Sequence, residues 1–238
     1  LLHNDECEKI YENLTDGNVG SRKRRNVSDN LFVINSVMNE AKCSKSEALD
    51  INVYDVEKCF DSMWLSESIN DMYDAGMRDD KLCLLYQSNK NAKIVIKTSS
   101  GTTNSISISN KVMQGRVLGG LMCTATMEQL CKLIHSDKKL LYKYRGNVEV
   151  PPLEMVDDII TVSKCGNTSV ALNQAVNTFV ELKKLKLSKN KCSKIHIGNK
   201  SKSCPEHKVH NETMKVSQKE KYLGDFVTEK ANSKDTIK

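Results

Sequence analysis

Apolar and polar residues alternate along this chain with two different periods. Apolar side chains recur at helical spacing over residues 31–41, so a helix capped by Ser28 or Asp29 is predicted there. A β-branched run over residues 49–56 predicts a short strand. A helix containing Phe60 and Trp64 is expected to follow and to close near Gly76.

The second half of the chain continues this mixture of periods. Alternation over residues 92–98 and 103–109, around Gly101, predicts a hairpin, and the apolar residues 117–134 predict a buried helix. A second hairpin is predicted over residues 153–162, and a helix capped by Asn167 or Thr168 follows. Strands are expected over 194–198 and around Tyr222. This order predicts an α+β fold, a sheet with helices packed behind it.

Composition favours a soluble globular chain with a sizeable core. Of its 238 residues, 39% are hydrophobic and 28% are charged, which fits one large domain or two small ones. No apolar stretch approaches the roughly 20 residues that cross a bilayer, and no signal peptide opens the chain. The nine cysteines show no paired spacing. We therefore expect free thiols, a reducing intracellular compartment (nucleus or cytoplasm) and no membrane partner.

Positive charge is concentrated in two segments of a chain whose net charge is +6. Residues 22–25 read Arg-Lys-Arg-Arg, and residues 182–202 contain eight lysines and no acid. Such segments suit a polyanionic partner, although a lysine run is also typical of a solvated surface. A possible zinc group overlaps the second segment, with a lysine-rich β-hairpin as the alternative. Its members are Cys192, His196, Cys204, His207 and His210.

Acidic residues interrupt two of the predicted strands. Asp157 and Asp158 are adjacent within an apolar, β-branched run, and Asp55 ends the strand predicted about a hundred residues earlier. Two neighbouring carboxylates on a half-buried strand are costly unless a cation compensates them. Carboxylates on two neighbouring strands could hold Mg²⁺ for phosphoryl or nucleotidyl transfer. The alternative is that these are ordinary structural or surface acids.

The chain resembles the reverse transcriptase of non-LTR (LINE-like) retrotransposons over about residues 20–228. Each matching segment is short, but six occur in the order found in that family. They are RKRRNVSDN (22–30), YDVEKCFD (54–61), MQGRVLGG (113–120), MVDD (155–158), LKLSKNK (185–191) and YLG (222–224).

The resemblance implies a catalytic centre with two Mg²⁺ ions, for which Mn²⁺ is a possible substitute. Asp55 and Asp157 would be the main ligands, together with the Val56 carbonyl. Asp158 would be a further ligand or would tune its neighbour electrostatically. Lys191 would place a proton or a positive charge on the departing pyrophosphate, or is simply a solvated lysine.

The resemblance also assigns a nucleotide-binding group. Phe60 would lie under the sugar of the incoming nucleotide and exclude a 2′-hydroxyl, unless it only belongs to an apolar stripe with Trp64. Gln114 and Gly115 would form the loop beside the base pair, or an ordinary turn before a helix. Two further groups complete the assignment: Arg22 and Arg25 for the triphosphate, and Tyr222, Leu223 and Gly224 for the primer grip.

The implied architecture is the fingers and palm of a right-hand polymerase, with an antiparallel palm sheet backed by helices. Residues 1–48 would form part of the fingers, and residues 49–75 the palm with its first catalytic motif. Residues 76–112 would be an insertion between fingers and palm that contains the hairpin. Residues 113–238 would run from the palm through the primer grip and stop before a thumb, which we expect to be largely absent.

The implied activity is RNA-directed DNA synthesis, in which a dNTP donates dNMP to a primer 3′-hydroxyl and pyrophosphate leaves. The partners would be an RNA template, a DNA primer and dNTPs. Two alternatives remain: an inactive mobile-element remnant that binds RNA, and an RNA-dependent RNA polymerase. Activity without a thumb and the oligomeric state are both left open by the sequence.

Overall fold

The structure is a computed structural model that describes residues 4–43, 48–108, 110–116, 118–198 and 205–228. Seven α-helices lie in these segments. They are α1 (Asn4–Glu12), α2 (Val27–Cys43), α3 (Cys59–Ser62), α4 (Leu65–Asp74), α5 (Asp79–Lys90), α6 (Gly119–Ser136) and α7 (Asn167–Leu182). A 3₁₀ turn follows α6 at Lys138–Leu140. None of the described helices is both long and apolar enough to cross a membrane.

The strands of the described segments are mostly short. They are β1 (Leu49–Asp55), β2 (Ala92–Ile94), β3 (Lys97–Thr98), β4 (Gly101–Thr102), β5 (Ile106–Ile108), β6 (Tyr142–Tyr144), β7 (Val148–Val150), β8 (Leu153–Met155), β9 (Asp158–Lys164), β10 (Ser193–Ile197), β11 (Lys208–Val209), β12 (Glu212–Thr213), β13 (Lys215–Val216), β14 (Lys219–Tyr222) and β15 (Asp225–Thr228).

A five-stranded sheet organises the molecule, with the strand order β13-β10-β1-β9-β8. The central strand β1 pairs antiparallel with both β9 and β10, and only the short β13 is added in parallel. Six of the seven β1 residues are buried, which explains their apolar, β-branched character. The predicted α+β fold with an antiparallel sheet backed by helices is therefore confirmed.

The two faces of this sheet are covered by different helices. Leu49, Ile51 and Val53 alternate along β1 and share a buried cluster with Ile34 and Met38 of α2. A second buried apolar cluster contains Tyr54 of β1 and side chains from α4, α6 and α7. Because strand side chains alternate between faces, β1 separates these two apolar layers.

A buried polar network lies between β1 and α7. Asp50 is fully buried, with Lys194 Nζ 3.0 Å from Oδ2 and His196 Nδ1 2.8 Å from Oδ1. Burial alone would raise the pKa of Asp50, but the hydrogen bond with His196 and the nearby Lys194 charge lower it. Asn52 Oδ1 lies 2.8 Å from His207 Nδ1, and His207 Nε2 lies 2.9 Å from Ser169 Oγ. The network fixes the segment around His207 against the sheet.

The helix predicted through Trp64 is interrupted, and this prediction was wrong. Met63 and Trp64 are both extended, so α3 and α4 are separate helices. The chain leaves helical geometry because it pairs with a distant segment: Leu65 N–H donates to the Asn110 carbonyl, and Val112 N–H donates to the Met63 carbonyl. A contact across about fifty residues has no signature in local periodicity.

The lysine-rich segment is largely built into the fold. Four of its eight lysines form ion pairs: Lys183 with Asp71, Lys189 with Glu212, Lys191 with Asp55 and Lys194 with Asp50. Strand β10 joins the central sheet, so the alternative of a local lysine-rich hairpin was also wrong. Lys200 and Lys202 lie outside the described residues.

Candidate active site

The acidic hairpin forms as predicted, with Asp157 in its turn and Asp158 at the start of β9. Strand β8 pairs with β9 in the register Met155 to Asp158, leaving Val156 and Asp157 as the turn. Val156 has a φ of 61°, a left-handed conformation that β-branched residues rarely adopt. Such strain is retained where the surroundings enforce it, and here it places two carboxylates at the end of the sheet.

The sheet brings Asp55 directly to this hairpin. Asp55 pairs with Asp158 in the β1–β9 register, and antiparallel partners have Cα atoms about 4.5–5.5 Å apart. The Val56 N–H also donates to the Asp157 carbonyl over 3.2 Å. Two segments about a hundred residues apart in sequence therefore form one acidic centre.

The electrostatics of this centre show that its carboxylates crowd one another. Burial raises the pKa of Asp158 to about 6, and the charges of Asp157 and Asp55 add to that rise, whereas Lys191 opposes it. Mutual repulsion of this kind is relieved by a cation. The three carboxylates are hard oxygen ligands that suit Mg²⁺, so the residues present fit the predicted metal.

Lys191 lies at the same centre. Its Nζ is 3.0 Å from Asp55 Oδ2, and the Asp55 hydrogen bond and charge raise the pKa of the ammonium. Two backbone hydrogen bonds fix the surrounding loop: Ser188 N–H donates to the Asp55 carbonyl over 2.8 Å, and Glu57 N–H donates to the Lys186 carbonyl over 2.7 Å. The loop that carries Lys191 is therefore held against the strand end that carries Asp55.

A cavity of about 460 Å³ opens beside the acidic hairpin. It is lined by residues 58–61 and 155–158, together with Val27, Gln114 and Leu223. The structure thus brings Phe60, Gln114, Asp157 and Asp158 to one space, as the sequence predicted. A cavity of this size is in the range of small-ligand sites.

The nucleotide-side residues occupy positions compatible with their predicted roles. Phe60 is half-buried, packs against the apolar core and lines the cavity. Gln114 and Gly115 are exposed in the turn that precedes α6. Gly115 has a φ of 81°, which a side chain would disfavour, so the turn itself requires glycine. The roles of these residues toward a nucleotide stay predictions.

The predicted primer-grip residues form the turn of a hairpin beside this cavity. Tyr222 is buried and its hydroxyl donates to the Leu153 carbonyl over 3.3 Å, which joins β14 to the acidic hairpin. Leu223 and Gly224 form the turn with positive φ values of 49° and 91°, and Leu223 reaches the cavity lining. Contact with a primer stays a prediction.

The two candidate triphosphate arginines are not among the residues that line this cavity. The Arg22 guanidinium donates to three backbone carbonyls, those of Tyr11, Thr15 and Asn18, over 2.6–2.9 Å. Arg25 forms an ion pair with Asp16. Both guanidinium groups thus hold the N-terminal segment together, and the structure gives neither a position against the acidic centre.

The candidate zinc group does not assemble among the described residues, and Cys204 lies outside them. His207 contacts Asn52 and Ser169, whereas His210 contacts the Leu187 backbone. A different set does converge: ligand atoms of Asp50, Cys165 and His196 lie within 4.8 Å of one another. Within this group, the Asp50 carboxylate is already paired with Lys194 and with His196.

Lys58 is one of the cavity residues that the sequence did not single out. Lys58 is exposed and lines the cavity next to Phe60, in a left-handed conformation with φ 47° and ψ 51°. The only available signal was its place in the first acidic motif, directly after Glu57. Its conformation and its position in the cavity depend on the fold.

Comparison with known proteins gives one family and one fold. Residues 5–225 match the family described as reverse transcriptase (RNA-dependent DNA polymerase). No curated protein matches the chain significantly. The chain is similar to a Candida albicans telomerase solved with a TWJ fragment of telomeric RNA, at 12% identity and a TM-score of 0.61, covering 88% of this chain and 35% of that one.

Two telomerase structures from Candida tropicalis resemble this chain with comparable TM-scores. Apo telomerase matches at 12% identity and a TM-score of 0.61, covering 94% of this chain and 38% of that one. A form truncated from its C-terminal domain matches at 16% identity and a TM-score of 0.58, covering 93% and 42%. At such identities the likeness concerns the fold, and the chain spans well under half the length of these proteins.

Proposed function

The chain belongs to the reverse transcriptase family of RNA-directed DNA polymerases, and from this membership we propose that it copies RNA into DNA. A primer 3′-hydroxyl attacks the α-phosphate of a dNTP, dNMP is added and pyrophosphate leaves. The RNA template, the DNA primer and the dNTP are the partners of this reaction. The observation that carries the proposal is the register pairing of Asp55 with Asp158 beside Asp157 and Lys191.

The residues of the acidic centre would divide the work of this transfer. Asp55, Asp157 and Asp158 would hold Mg²⁺, which when bound stabilises negative charge on the attacking and leaving oxygens. The Lys191 ammonium lies 3.0 Å from Asp55 Oδ2 and would stabilise the departing pyrophosphate. Phe60 lines the adjoining cavity, where its ring would exclude a ribose 2′-hydroxyl, and Gln114 would contact the base pair.

The motifs further favour the non-LTR (LINE-like) subtype within this family. The segments YDVEKCFD (54–61), MQGRVLGG (113–120) and MVDD (155–158) resemble that subtype in type and order. All three meet at one cavity, which supports reading them as a functional set.

Primer extension by the Asp157→Asn variant tests the proposal. With an RNA template, a DNA primer, dNTPs and Mg²⁺, we expect the unmodified chain to extend the primer and Asp157→Asn to show only background. Asparagine keeps the shape of the side chain but removes a charged metal ligand. Asp80→Asn, an exposed position on α5, is the matched control and should extend normally.

Three outcomes separate this proposal from its alternatives. Normal extension by Asp157→Asn would contradict the catalytic role of the acidic centre. Salt-sensitive RNA binding by the unmodified chain without extension would support an inactive RNA-binding remnant. Incorporation of NTPs in preference to dNTPs would support an RNA polymerase.

A further inference from the structure

The single tryptophan of the chain lies on the surface, and it is not among the residues that line the cavity beside the acidic centre. Trp64 is 37% exposed, although its indole is a large apolar group that a core could bury. Two lysines approach the ring: Lys111 Nζ lies 4.5 Å and Lys184 Nζ 5.4 Å from the ring centroid. Apolar aromatic surface and positive charge are therefore combined at one place.

The fold holds Trp64 and Lys111 side by side. The two residues pair as an antiparallel bridge at the point where α3 and α4 are interrupted. Side chains of directly opposite partners lie on the same face of the paired segments. The Lys111 ammonium also donates to the Ser62 carbonyl over 3.2 Å, which fixes it beside the ring. The break in the predicted helix thus creates this pair.

Lys184 reaches the ring from the end of α7. It has a φ of 54° directly after the C-cap of that helix, the left-handed position that glycine usually occupies. Beyond it the segment alternates: Lys184 and Lys186 are exposed, and the leucines at 185 and 187 are buried. The segment therefore presents its lysines outward, and it continues to Lys191 beside Asp55.

The positive charge around the indole is not paired by the protein. Lys111, Lys184 and Lys186 form no ion pair within the described part of the chain, whereas four lysines of the basic segment 182–202 do. A single-stranded nucleic acid offers the complement, a flat base that stacks on an aromatic ring and a phosphate that binds an ammonium. A duplex fits less well, because its bases stack on one another and expose only their edges.

We propose that Trp64, Lys111 and Lys184 form a binding site for single-stranded nucleic acid, separate from the catalytic cavity. One base stacks on the exposed part of the indole, and the two ammonium groups bind the adjoining phosphates. Lys186 extends the site toward the acidic centre. Because the contacts involve base planes and backbone, the site accepts RNA or DNA of any sequence. It binds whether or not the chain polymerises, and so goes beyond the proposed function.

Tryptophan fluorescence tests this site directly, because Trp64 is the only tryptophan in the chain. The probes are oligouridylate and oligothymidylate of about ten nucleotides, within the range that single-strand sites contact. We expect each probe to quench the Trp64 emission saturably. An abasic oligonucleotide of the same length should bind more weakly and quench little, because it cannot stack. Quenching needs no variant, so the test holds even if a substitution at Trp64 lowers stability.

Fluorescence anisotropy of the labelled probes compares variants of the site. Trp64→Leu should weaken binding about tenfold, as expected for one stacked base, and Trp64→Phe should restore most of the affinity. Lys184→Met should lower the slope of log affinity against log salt by about 0.7, the effect of one phosphate contact on a single strand. Tyr73→Leu is the matched control, since Tyr73 is exposed and lies against Arg78 outside the site. It should change neither quantity.

The outcomes separate this inference from the proposed function. Quenching by a chain that extends no primer would support the site and contradict the polymerase proposal. Primer extension without quenching would overturn the site and leave the polymerase proposal in place. Equal quenching by polyglutamate would also overturn the site, since an acidic protein would then fit it as well. Equal losses for Trp64→Leu and Tyr73→Leu would show that binding is not localised at the indole, and would overturn it too.

Discussion

At the scale of single residues, Lys191 compensates the negative charge of the acidic centre. Its ammonium is hydrogen-bonded to Asp55 Oδ2, the carboxylate that the proposed mechanism assigns to Mg²⁺. A cation and an ammonium cannot both lie close to one carboxylate without repelling each other. Metal binding is therefore expected to displace Lys191 from Asp55 and to free it for the leaving pyrophosphate.

Lys191→Met should consequently raise the affinity of the free protein for Mn²⁺ about tenfold while lowering the rate of primer extension. The affinity can be measured by electron paramagnetic resonance titration without nucleic acid. Lys189→Met removes a lysine of the same loop that pairs with Glu212, and it should leave Mn²⁺ affinity unchanged. Weaker Mn²⁺ binding by Lys191→Met would contradict this competition.

Phe60 gives a second prediction at this scale. If its ring excludes the 2′-hydroxyl, Phe60→Val should increase incorporation of NTPs relative to dNTPs by about 10- to 200-fold, the range expected for a steric contact. The measurement is the ratio of kcat/KM values for matched NTP and dNTP. An unchanged ratio, with only a loss of stability, would show that Phe60 serves the apolar core alone.

At the scale of elements, the sequence predicted those segments whose residues alternate strongly. Strand β1, helix α2 and the β8–β9 hairpin lie within a few residues of their predicted positions, because one face of each is consistently apolar. Helix α5 was not predicted, since only Leu85 and Asn89 among its twelve residues are buried. Hairpin β6–β7 was also missed, because its strands have three residues each.

Roles of basic residues were harder to predict than elements. The sequence marks Arg22, Arg25 and Lys191 alike as cations, and a resemblance gives each a nucleotide-related role. Only tertiary contacts show that Arg22 is bound by backbone carbonyls whereas Lys191 lies at the acidic centre. The Lys191–Asp55 pair joins residues 136 positions apart, which no local pattern encodes. The Arg22 bonds reach carbonyls only 4 to 11 residues earlier, but they depend on how that segment folds back on itself.

Arg22→Lys tests the structural role at this scale. Lysine cannot reproduce the guanidinium's simultaneous bonds to Tyr11, Thr15 and Asn18, so the free energy of unfolding should fall by about 2 kcal/mol. Thermal unfolding measures this, with the exposed Arg24→Lys as control. An unchanged melting temperature with a raised KM for dNTP would support the triphosphate contact instead.

At the scale of the whole molecule, strand β1 carries both the acidic centre, at its end, and a buried polar network farther along. Asp50, Asn52 and Tyr54 lie at alternate positions on β1 and bond to β10, the His207 segment and α7 respectively. Because Asn52 Nδ2 donates to Thr161, its Oδ1 accepts the Nδ1–H of His207. The remaining nitrogen, Nε2, then accepts from Ser169.

The surroundings of His207 favour its neutral form, and this preference predicts a pH dependence of stability. Burial and the Lys194 charge lower the pKa of His207 to about 4, although Asp50 opposes this, whereas the unfolded chain has the ordinary value near 6.5. Between these values only the unfolded chain takes up the proton. The contribution of His207 to the free energy of unfolding is therefore fully present above about pH 6.5, and it falls by about 3 kcal/mol as the pH drops to 4.

Urea unfolding at several pH values tests this contribution. The unmodified chain and His135→Gln should both show it, and His207→Gln should lack it. The same acid dependence in His207→Gln would contradict the role of this ring.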